Sequence, residues 1–333
     1  MTSHEEWIET ELARLREKSL ERRLRTARLP ERGIADFSSN DYLNLTNHPA
    51  VLGKSSAMLE KYGSGAGASR LVTGTLPCHD ELEARLAELK NYPSALVFGS
   101  GYLTNAGTIT AIVGRRDHVF ADRLAHASII DAIVASRAAL HRFRHNEPDD
   151  LDRLLSCCPA AGKRLVITES VFSMDGDIAP LGDIADIARR HGAMLMVDEA
   201  HATGVFGAGL VEHGNLEEYV NISMGTLSKA LAGYGGFVAC TPQMRSLIVN
   251  RARAFIYTTA LPPACVGSAL GALEVMEKEH DQGRELLDRA AKFRNQLNDA
   301  GLDTLASESQ IIPVLAGSSK KALGFAERLR REG

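Results

Sequence analysis

The sequence predicts an α/β fold in which helices cover both faces of a mostly parallel β-sheet. From residue 95 onward, short apolar segments alternate with segments of helical character. This alternation is typical of repeated β-α-β units, whose parallel strands are buried on both faces. Polar residues follow several of the apolar segments, so we expect them at the carboxyl ends of the strands. Ligands bind at that edge in such sheets.

The elements follow in order along the chain. Residues 4–28 are predicted to form a charged amphipathic helix, because Leu12, Leu15, Leu20 and Leu24 share one side of it. A short strand followed by turns is predicted over residues 33–47, and a glycine-rich loop over residues 63–74. We then expect helices at 80–91, 102–113, 128–136 and 181–191, and strands at 95–98, 117–121, 164–169, 194–198, 221–224 and 236–240.

From residue 262 the chain becomes helical, followed by a predicted strand at 310–315 and a last helix at 320–331. We therefore expect an N-terminal helix and arm at 1–43, a large ligand-binding domain at 44–276 and a small C-terminal α/β domain at 277–333. An αβ unit that ends in a helix normally leads into another strand, so the C-terminal domain is predicted to be incomplete.

Composition excludes several classes of protein. The net charge of −4 provides no basic excess to neutralise phosphates, which argues against nucleic acid as a partner. No apolar run approaches the roughly 18 residues of a membrane span. The five cysteines show no CxxC spacing, so we expect neither a disulfide framework nor a metal site. These features indicate a cytoplasmic protein without a signal peptide.

Two segments indicate the chemistry. Asp198 ends the apolar run Ala193–Val197, and Lys229 follows a later apolar stretch in a loop of small residues and glycines. A loop lysine alone is usually a solvated charge, and a lone Asp at a strand end is usually a helix cap. Together they match the needs of pyridoxal phosphate (PLP): a lysine that holds the cofactor aldehyde, and an acid that keeps the pyridine nitrogen protonated. We therefore predict a PLP site in the large domain.

Other segments have two interpretations each. Ser100-Gly101-Tyr102 is either a tight turn or a helix start whose free amides hold a phosphate. His126 is either a capping histidine or a ring stacked on a planar cofactor. His201 is either structural or within reach of the cofactor's phenolic oxygen. The glycine-rich stretch 63–67 lacks the G-x-G-x-x-G spacing and follows a helix, so it is no dinucleotide fingerprint.

These segments, taken together and in this order, resemble the α-oxoamine synthases. Those fold-type-I PLP enzymes join an amino acid to an acyl thioester with loss of CO2. The resemblance runs from about residue 5 to the end of the chain and rests on Ser38–Leu43, Ser100–Tyr102, Val171–Asp177, Asp198–His201 and Thr226–Ala230. Within the family, three segments are most similar to the members that act in biotin synthesis: Ser38–Leu43, Arg142–Asn146 and Tyr257–Pro263.

The resemblance implies a role for each matched residue. Lys229 would bind the cofactor and serve as the base, Asp198 would pair with the pyridine nitrogen, and His126 would stack over the ring and contact substrate. The remaining cofactor-binding residues would be Gly101, Tyr102, Ser173, His201 and Thr226. Arg25 would bind the acyl substrate's carboxylate. The resemblance also implies a homodimer with shared active sites. In such a dimer, Thr258 and Thr259 would reach the phosphate bound by the neighbouring subunit.

The resemblance implies L-alanine and a pimeloyl thioester, on CoA or a carrier protein, as the substrates. One alternative is a glycine-using sister enzyme, such as 2-amino-3-ketobutyrate CoA ligase or 5-aminolevulinate synthase. Another is a truncated, inactive chain that binds PLP, because family members continue with further strands and an arginine for the amino acid's carboxylate. The segment Gly207-Ala208-Gly209-Leu210 also departs from the family's usual G-x-x-G-R-G.

Overall fold

The computed structural model describes residues 3–24, 35–159 and 161–332. Its strands confirm the predicted β-α alternation and add one strand that the sequence did not indicate, β3. The strands are β1 (Ser94–Phe98), β2 (His118–Asp122), β3 (Ala139–Phe143), β4 (Arg164–Glu169), β5 (Met194–Asp198), β6 (Ile222–Thr226) and β7 (Gly236–Cys240). β3 lies at the edge of the sheet and is largely unburied, so it lacks the apolar run that marks the others.

Helices separate most of the strands. The helices are α1 (Ser3–Glu17), α2 (Pro49–Tyr62), α3 (Pro77–Leu89), α4 (Gly101–Ile112), α5 (Ala127–Ser136), α6 (Pro148–Ser156), α7 (Leu181–Arg190), α8 (Leu210–His213), α9 (Pro242–Arg251), α10 (Arg253–Ile256), α11 (Pro263–Lys278), α12 (Gln282–Asp299) and α13 (Ser319–Glu332). The sequence indicated a helix before residue 63, and α2 is that helix, but it did not indicate α6. Both α2 and α6 begin at a proline, which suits the first turn of a helix because its missing N–H would have no partner there.

The strands form one seven-stranded sheet in the order β1-β7-β6-β5-β4-β2-β3. The pairs β2–β3, β2–β4, β4–β5 and β5–β6 are parallel, whereas β7 runs antiparallel to both β1 and β6. The sheet is therefore mostly parallel, as predicted. The carboxyl ends of β4, β5 and β6 meet at one edge, and this edge carries Glu169, Asp198 and Thr226.

The core lies on both faces of the sheet because successive strand side chains point in opposite directions. In β5, Met196 packs in a cluster with α4, α5 and α9, whereas Leu195 and Val197 pack in a second cluster with α6 and α7. A third cluster joins α2, α3 and α11 to β1 and β7. All three strand residues are fully buried, which agrees with a sheet covered by helices on both sides.

Three sequence-based expectations are wrong. The short strand predicted within residues 33–47 is absent from the described part of that range, 35–47, which forms turns and bends. The N-terminal helix ends at Glu17, within the predicted range 4–28, and Ser19 adopts a left-handed φ of 55°. The predicted strand at 310–315 is irregular and pairs with no strand in the part of the chain that the structure describes. Pro313 lies in the middle of that segment and cannot donate a ladder hydrogen bond. The small C-terminal unit is therefore helical and irregular over its described residues.

Among the described residues, no helix is long and apolar enough to cross a membrane. The domain boundaries at residues 43 and 276 stay predictions. Residues 35–47 form turns along the rim of the sheet, and Tyr42 is held there by a contact with His201.

Candidate active site

Asp198 and Glu169 lie side by side at the carboxyl edge of the sheet. They are register partners at the ends of β5 and β4, and both side chains are buried. Thr226 ends β6, the next strand along the edge. The parallel pairing of these strands therefore brings together residues that lie far apart in sequence.

Two donors fix the carboxylate of Asp198. The backbone N–H of Ala200 donates to Oδ1 at 3.0 Å, and Nδ2 of Asn105 donates to Oδ2 at 2.9 Å. Asn105 lies on α4 and is itself only 1% exposed. A carboxylate held in this way is oriented before any ligand arrives, which suits a group that must meet a cationic ring nitrogen.

Lys229 lies in the loop after β6, and its Nζ is 2.7 Å from Nε2 of His201. The other ring nitrogen of His201, Nδ1, is 2.7 Å from the hydroxyl of Tyr42. His201 thus links Lys229 to the rim segment at Tyr42. The structure brings Lys229 and His201 together, as predicted for one site, and adds Tyr42.

Burial sets the protonation of both groups. It lowers the pKa of the Lys229 amine below its ordinary 10.5, while the nearby carboxylates of Asp198 and Glu169 partly offset this effect. Burial, together with the charge of Lys229 and the nearby His126, lowers the pKa of His201 to about 3. His201 is therefore neutral at physiological pH, and the Lys229 amine loses its proton more readily than a surface lysine does.

His126 caps the start of α5 and keeps an exposed ring. Its backbone N–H donates to Oε1 of Glu169 at 2.6 Å, which ties the residue to the end of β4. Its Nδ1 lies 2.8 Å from the hydroxyl of Ser128. The structure therefore supports the capping interpretation, and the ring is exposed. Stacking of the ring on a planar cofactor stays a prediction.

The start of α4 is a candidate anion site. Gly101 and Tyr102 are its first two residues, so their N–H groups have no acceptor within the helix. A Cβ added at Gly101 would lie 3.4 Å from Oγ1 of Thr226, which places the helix start against the end of β6. The Thr226 hydroxyl donates to the carbonyl of Gly235 at 3.0 Å and lies 2.9 Å from the Ser228 hydroxyl.

The donor set fits PLP. A buried carboxylate suits the pyridine nitrogen, a buried amine with a lowered pKa suits the aldehyde, and free amides beside hydroxyl groups suit the phosphate. The exposed ring of His126 is available to stack on a planar group. Asp198 and Thr226 end β5 and β6, Gly101 begins α4 and His126 caps α5, whereas Lys229 lies in the loop after β6.

The other predicted residues have different settings. The Tyr102 hydroxyl donates to Oδ2 of Asp131 at 2.6 Å, and the side chain is exposed. Ser173 lies half-buried in the turn that follows β4. Thr259 forms an isolated β-bridge with Ser69 of the glycine-rich loop. Arg25 lies outside the described residues.

Sequence reasoning did not single out Asn105, Glu169 or Tyr42, although each contacts a predicted site residue. Glu169 ends a predicted strand, and Tyr42 belongs to a segment used for the family resemblance, so position could have indicated both. Asn105 lies inside an apolar helix, and no local pattern distinguishes it.

The chain matches known proteins over nearly all of its length. The model of the aminotransferase class I and II family matches residues 32–333. The relative from Geobacter sulfurreducens is 45% identical over 98% of this chain and 87% of its own length. The relative from Citrifermentans bemidjiense is 41% identical over 97% of this chain and 86% of its own length.

The chain belongs to the aminotransferase class I and II family. Both relatives within it are named 8-amino-7-oxononanoate synthase. The predicted membership of a PLP-dependent family with this fold is thereby confirmed.

Solved structures agree with this assignment. A complex of serine palmitoyltransferase from S. paucimobilis with PLP and myriocin is 30% identical, with a TM-score of 0.90 over 100% of this chain and 90% of that one. An 8-amino-7-oxononanoate synthase from Francisella tularensis is also 30% identical, with a TM-score of 0.77 over 90% of this chain and 87% of that one.

Proposed function

We propose that this chain is a PLP-dependent acyltransferase that condenses L-alanine with a pimeloyl thioester to give 8-amino-7-oxononanoate. In this reaction a carbon–carbon bond forms between the alanine α-carbon and the thioester carbonyl. The carbon–sulfur bond breaks to release the carrier thiol, and the alanine carboxylate leaves as CO2. The observation that carries the proposal is the part-buried contact of 2.7 Å between Lys229 Nζ and His201 Nε2, which lie near Asp198 at the end of β5.

Asp198 and the anion site would orient the cofactor. When bound, PLP supplies an electron sink that stabilises negative charge on the amino acid's α-carbon. Asp198 would hold the pyridine nitrogen in its protonated form, because opposite charges favour both ionised groups. The amides of Gly101 and Tyr102 would hold the phosphate, with the hydroxyls of Thr226 and Ser228 beside them.

Lys229 would hold the cofactor and move the proton. A base must be unprotonated to accept a proton, and burial makes the neutral amine more accessible at physiological pH. The contact with neutral His201 orients Nζ without adding a positive charge beside it. Tyr42 holds the far side of that ring, so the turn at residues 40–44 positions the base indirectly.

We further propose that the active enzyme is a homodimer in the cytoplasm, with Thr258 and Thr259 near the partner's site. The support is a set of exposed apolar side chains in loops around the candidate site. Val72, Met174 and Tyr257 are 75%, 78% and 72% exposed. Sedimentation of the wild-type chain tests this proposal, because burial of these side chains in an interface requires a dimer.

The decisive experiment adds PLP to the purified chain, reduces the mixture with borohydride and maps the labelled peptide. We expect a visible absorbance band before reduction and covalent PLP on Lys229 afterwards. Lys229→Ala is expected to abolish the label, whereas Lys61→Ala, a change at an exposed lysine, leaves it intact. Label on another lysine in the wild-type chain would contradict the proposed site.

Titration of the PLP-loaded chain with amino acids then distinguishes the substrates. We expect L-alanine to change the visible spectrum at lower concentrations than glycine does. Product formation with pimeloyl-CoA and with a pimeloyl-carrier protein identifies the acyl donor. A stronger response to glycine would favour the glycine-using sister enzymes. A normal spectral response without product would favour a chain that binds PLP and does not turn over.

A further inference from the structure

A continuous hydrogen-bonded bridge connects Asp198 to His126 through two buried side chains. Nδ2 of Asn105 donates to Oδ2 of Asp198 at 2.9 Å and to Oγ of Ser128 at 3.0 Å. The Ser128 hydroxyl lies 2.8 Å from Nδ1 of His126. Asn105 and Ser128 are each 1% exposed, so the connection runs beneath the site and not through its open face.

The chemistry of the donors gives the bridge a fixed direction. A side-chain amide nitrogen carries two hydrogens, and Asn105 directs one toward each neighbour. The reverse orientation would set the amide oxygen against the Asp198 carboxylate, and two acceptors repel each other. The Ser128 oxygen thus accepts from Asn105, which leaves its single hydrogen for His126.

At His126 the bridge selects one form of the ring. The backbone N–H of Ser128 also donates to Nδ1 of His126, at 3.2 Å. A nitrogen that accepts from two donors carries no hydrogen, so the hydrogen of the neutral ring lies on Nε2. The bridge therefore fixes both the tautomer and the orientation of the imidazole.

The side chain of Asn105 includes an arrangement that is unfavourable for the stability of the fold, and a purely structural role would not explain it. Its Oδ1 is buried and has no hydrogen-bond partner within the described part of the chain. An unpaired buried polar atom is unfavourable, and an apolar residue of similar shape would avoid that loss. What an apolar residue would lack is the pair of donors that serves Asp198 and Ser128 together.

We propose that Asn105 and Ser128 are positioning residues that orient the Asp198 carboxylate and the His126 ring as one unit. This inference rests on the proposed PLP site, in which Asp198 meets the pyridine nitrogen and His126 stacks on the ring. The two side chains would contact different parts of one rigid cofactor. Cofactor binding would therefore depend on the position of Asp198 relative to His126. Neither positioning residue needs to touch the cofactor.

Two measurements on the full-length chain test the bridge. The first is the tautomer of His126, read from ¹⁵N chemical shifts of the histidine-labelled, PLP-free protein and assigned with a His126→Asn variant. The second is the dissociation constant of PLP. We expect the Nε2–H form in the wild-type chain. Its population is expected to fall in Ser128→Ala, where only the backbone N–H of residue 128 still donates to Nδ1, and in Asn105→Leu, where the Ser128 hydroxyl is no longer held by the amide. Asn105→Leu is also expected to weaken PLP binding by about tenfold or more, because Asp198 loses a charge-assisted hydrogen bond.

Thr108→Val is the matched control. Thr108 lies on the same helix, is fully buried, and has a hydroxyl without a partner within the described residues. Its replacement removes a buried polar atom from α4 and leaves the bridge intact, so both readouts are expected to match the wild type. If Asn105→Leu fails to fold, Ser128→Ala tests the His126 arm with a smaller change.

The outcomes separate the bridge from the proposed function. A wild-type tautomer in both bridge variants would overturn the proposal. So would a changed tautomer with unchanged PLP binding in Asn105→Leu, because the bridge would then not serve the cofactor. A wild-type chain that binds no PLP refutes the proposed function, whereas the tautomer measurement, made without cofactor, still reports on the bridge.

Discussion

Glu169 and Asp198 are register partners at the ends of adjacent parallel strands, so two buried carboxyl groups lie side by side at the candidate site. Burial, reinforced by the charge of Asp198, raises the pKa of Glu169 well above its ordinary 4.5. The site therefore favours the neutral form of Glu169 beside the carboxylate of Asp198. Glu169 Oε1 accepts a hydrogen bond from the backbone N–H of His126 at 2.6 Å.

Because burial favours the neutral form of Glu169, Glu169→Gln is expected to preserve PLP binding, whereas Glu169→Ala is expected to weaken it by removing the acceptor for the His126 N–H. The stability of the PLP-free chain provides a second readout. Between pH 4.5 and the raised pKa, the folded wild-type chain binds more protons than the unfolded chain, so its stability falls as pH rises. Glu169→Gln has no carboxyl group to titrate at this position. In denaturant titrations, its free energy of unfolding relative to the wild type is therefore expected to rise with pH. A stability difference that is independent of pH would contradict the assignment.

Lys229 is expected to destabilise the PLP-free chain in its protonated form. Burial lowers its pKa in the folded state below the ordinary 10.5, so in the window up to pH 10.5 the unfolded chain binds more protons and stability rises with pH. Lys229→Met removes this dependence. Its stability relative to wild type is therefore highest at low pH and declines toward pH 10.5. Thermal unfolding of both chains across this range measures the trend, and the exposed Lys61→Met control is expected to show none.

His145 is expected to stabilise the fold most strongly at low pH. Burial alone would lower its pKa, but hydrogen bonds to Asp122 and Asp177, at 2.9 and 2.7 Å, outweigh burial and raise the pKa to about 10. A raised histidine pKa provides stability that is complete below the ordinary 6.5 and lost as pH rises toward 10.

His145→Gln is therefore expected to cost more stability at pH 6 than at pH 10, by at least about 1 kcal/mol. Denaturant unfolding at the two pH values measures this difference. His213→Gln, a change at an exposed histidine, provides the control. Equal losses at both pH values would mean that the ring is neutral between its two carboxylate neighbours.

Lys90 and Glu199 form a buried ion pair directly behind the site, with 2.6 Å between Nζ and Oε2. Lys90→Met leaves the carboxylate of Glu199 buried without its cation, and we expect a loss of about 3–5 kcal/mol in the free energy of unfolding. The double variant Lys90→Met/Glu199→Gln removes both charges and is expected to lose less than Lys90→Met alone. A double variant as unstable as the sum of the two single ones would show that the pair is not coupled.

The sequence determined much of the fold and indicated two of the candidate site residues. Apolar runs such as 194–198 are strands because only a buried strand suits them, and Asp198 and Lys229 were predictable from their position after such runs. The missed elements have weaker local patterns. β3 is a partly exposed edge strand and lacks an apolar run. The segment 310–315 was predicted to be a strand from its apolar residues, although it contains Pro313.

Only the tertiary structure decided which groups meet. Glu169 joins Asp198 through parallel register, and Asn105 joins Asp198 to His126 across two helices and a strand end. These contacts depend on how distant elements pack, and periodicity reports only which face of one element is buried. The protonation of Lys229, His201 and Glu169 was likewise beyond the sequence, since burial and neighbouring charges fix those pKa values and both arise only when the chain is folded.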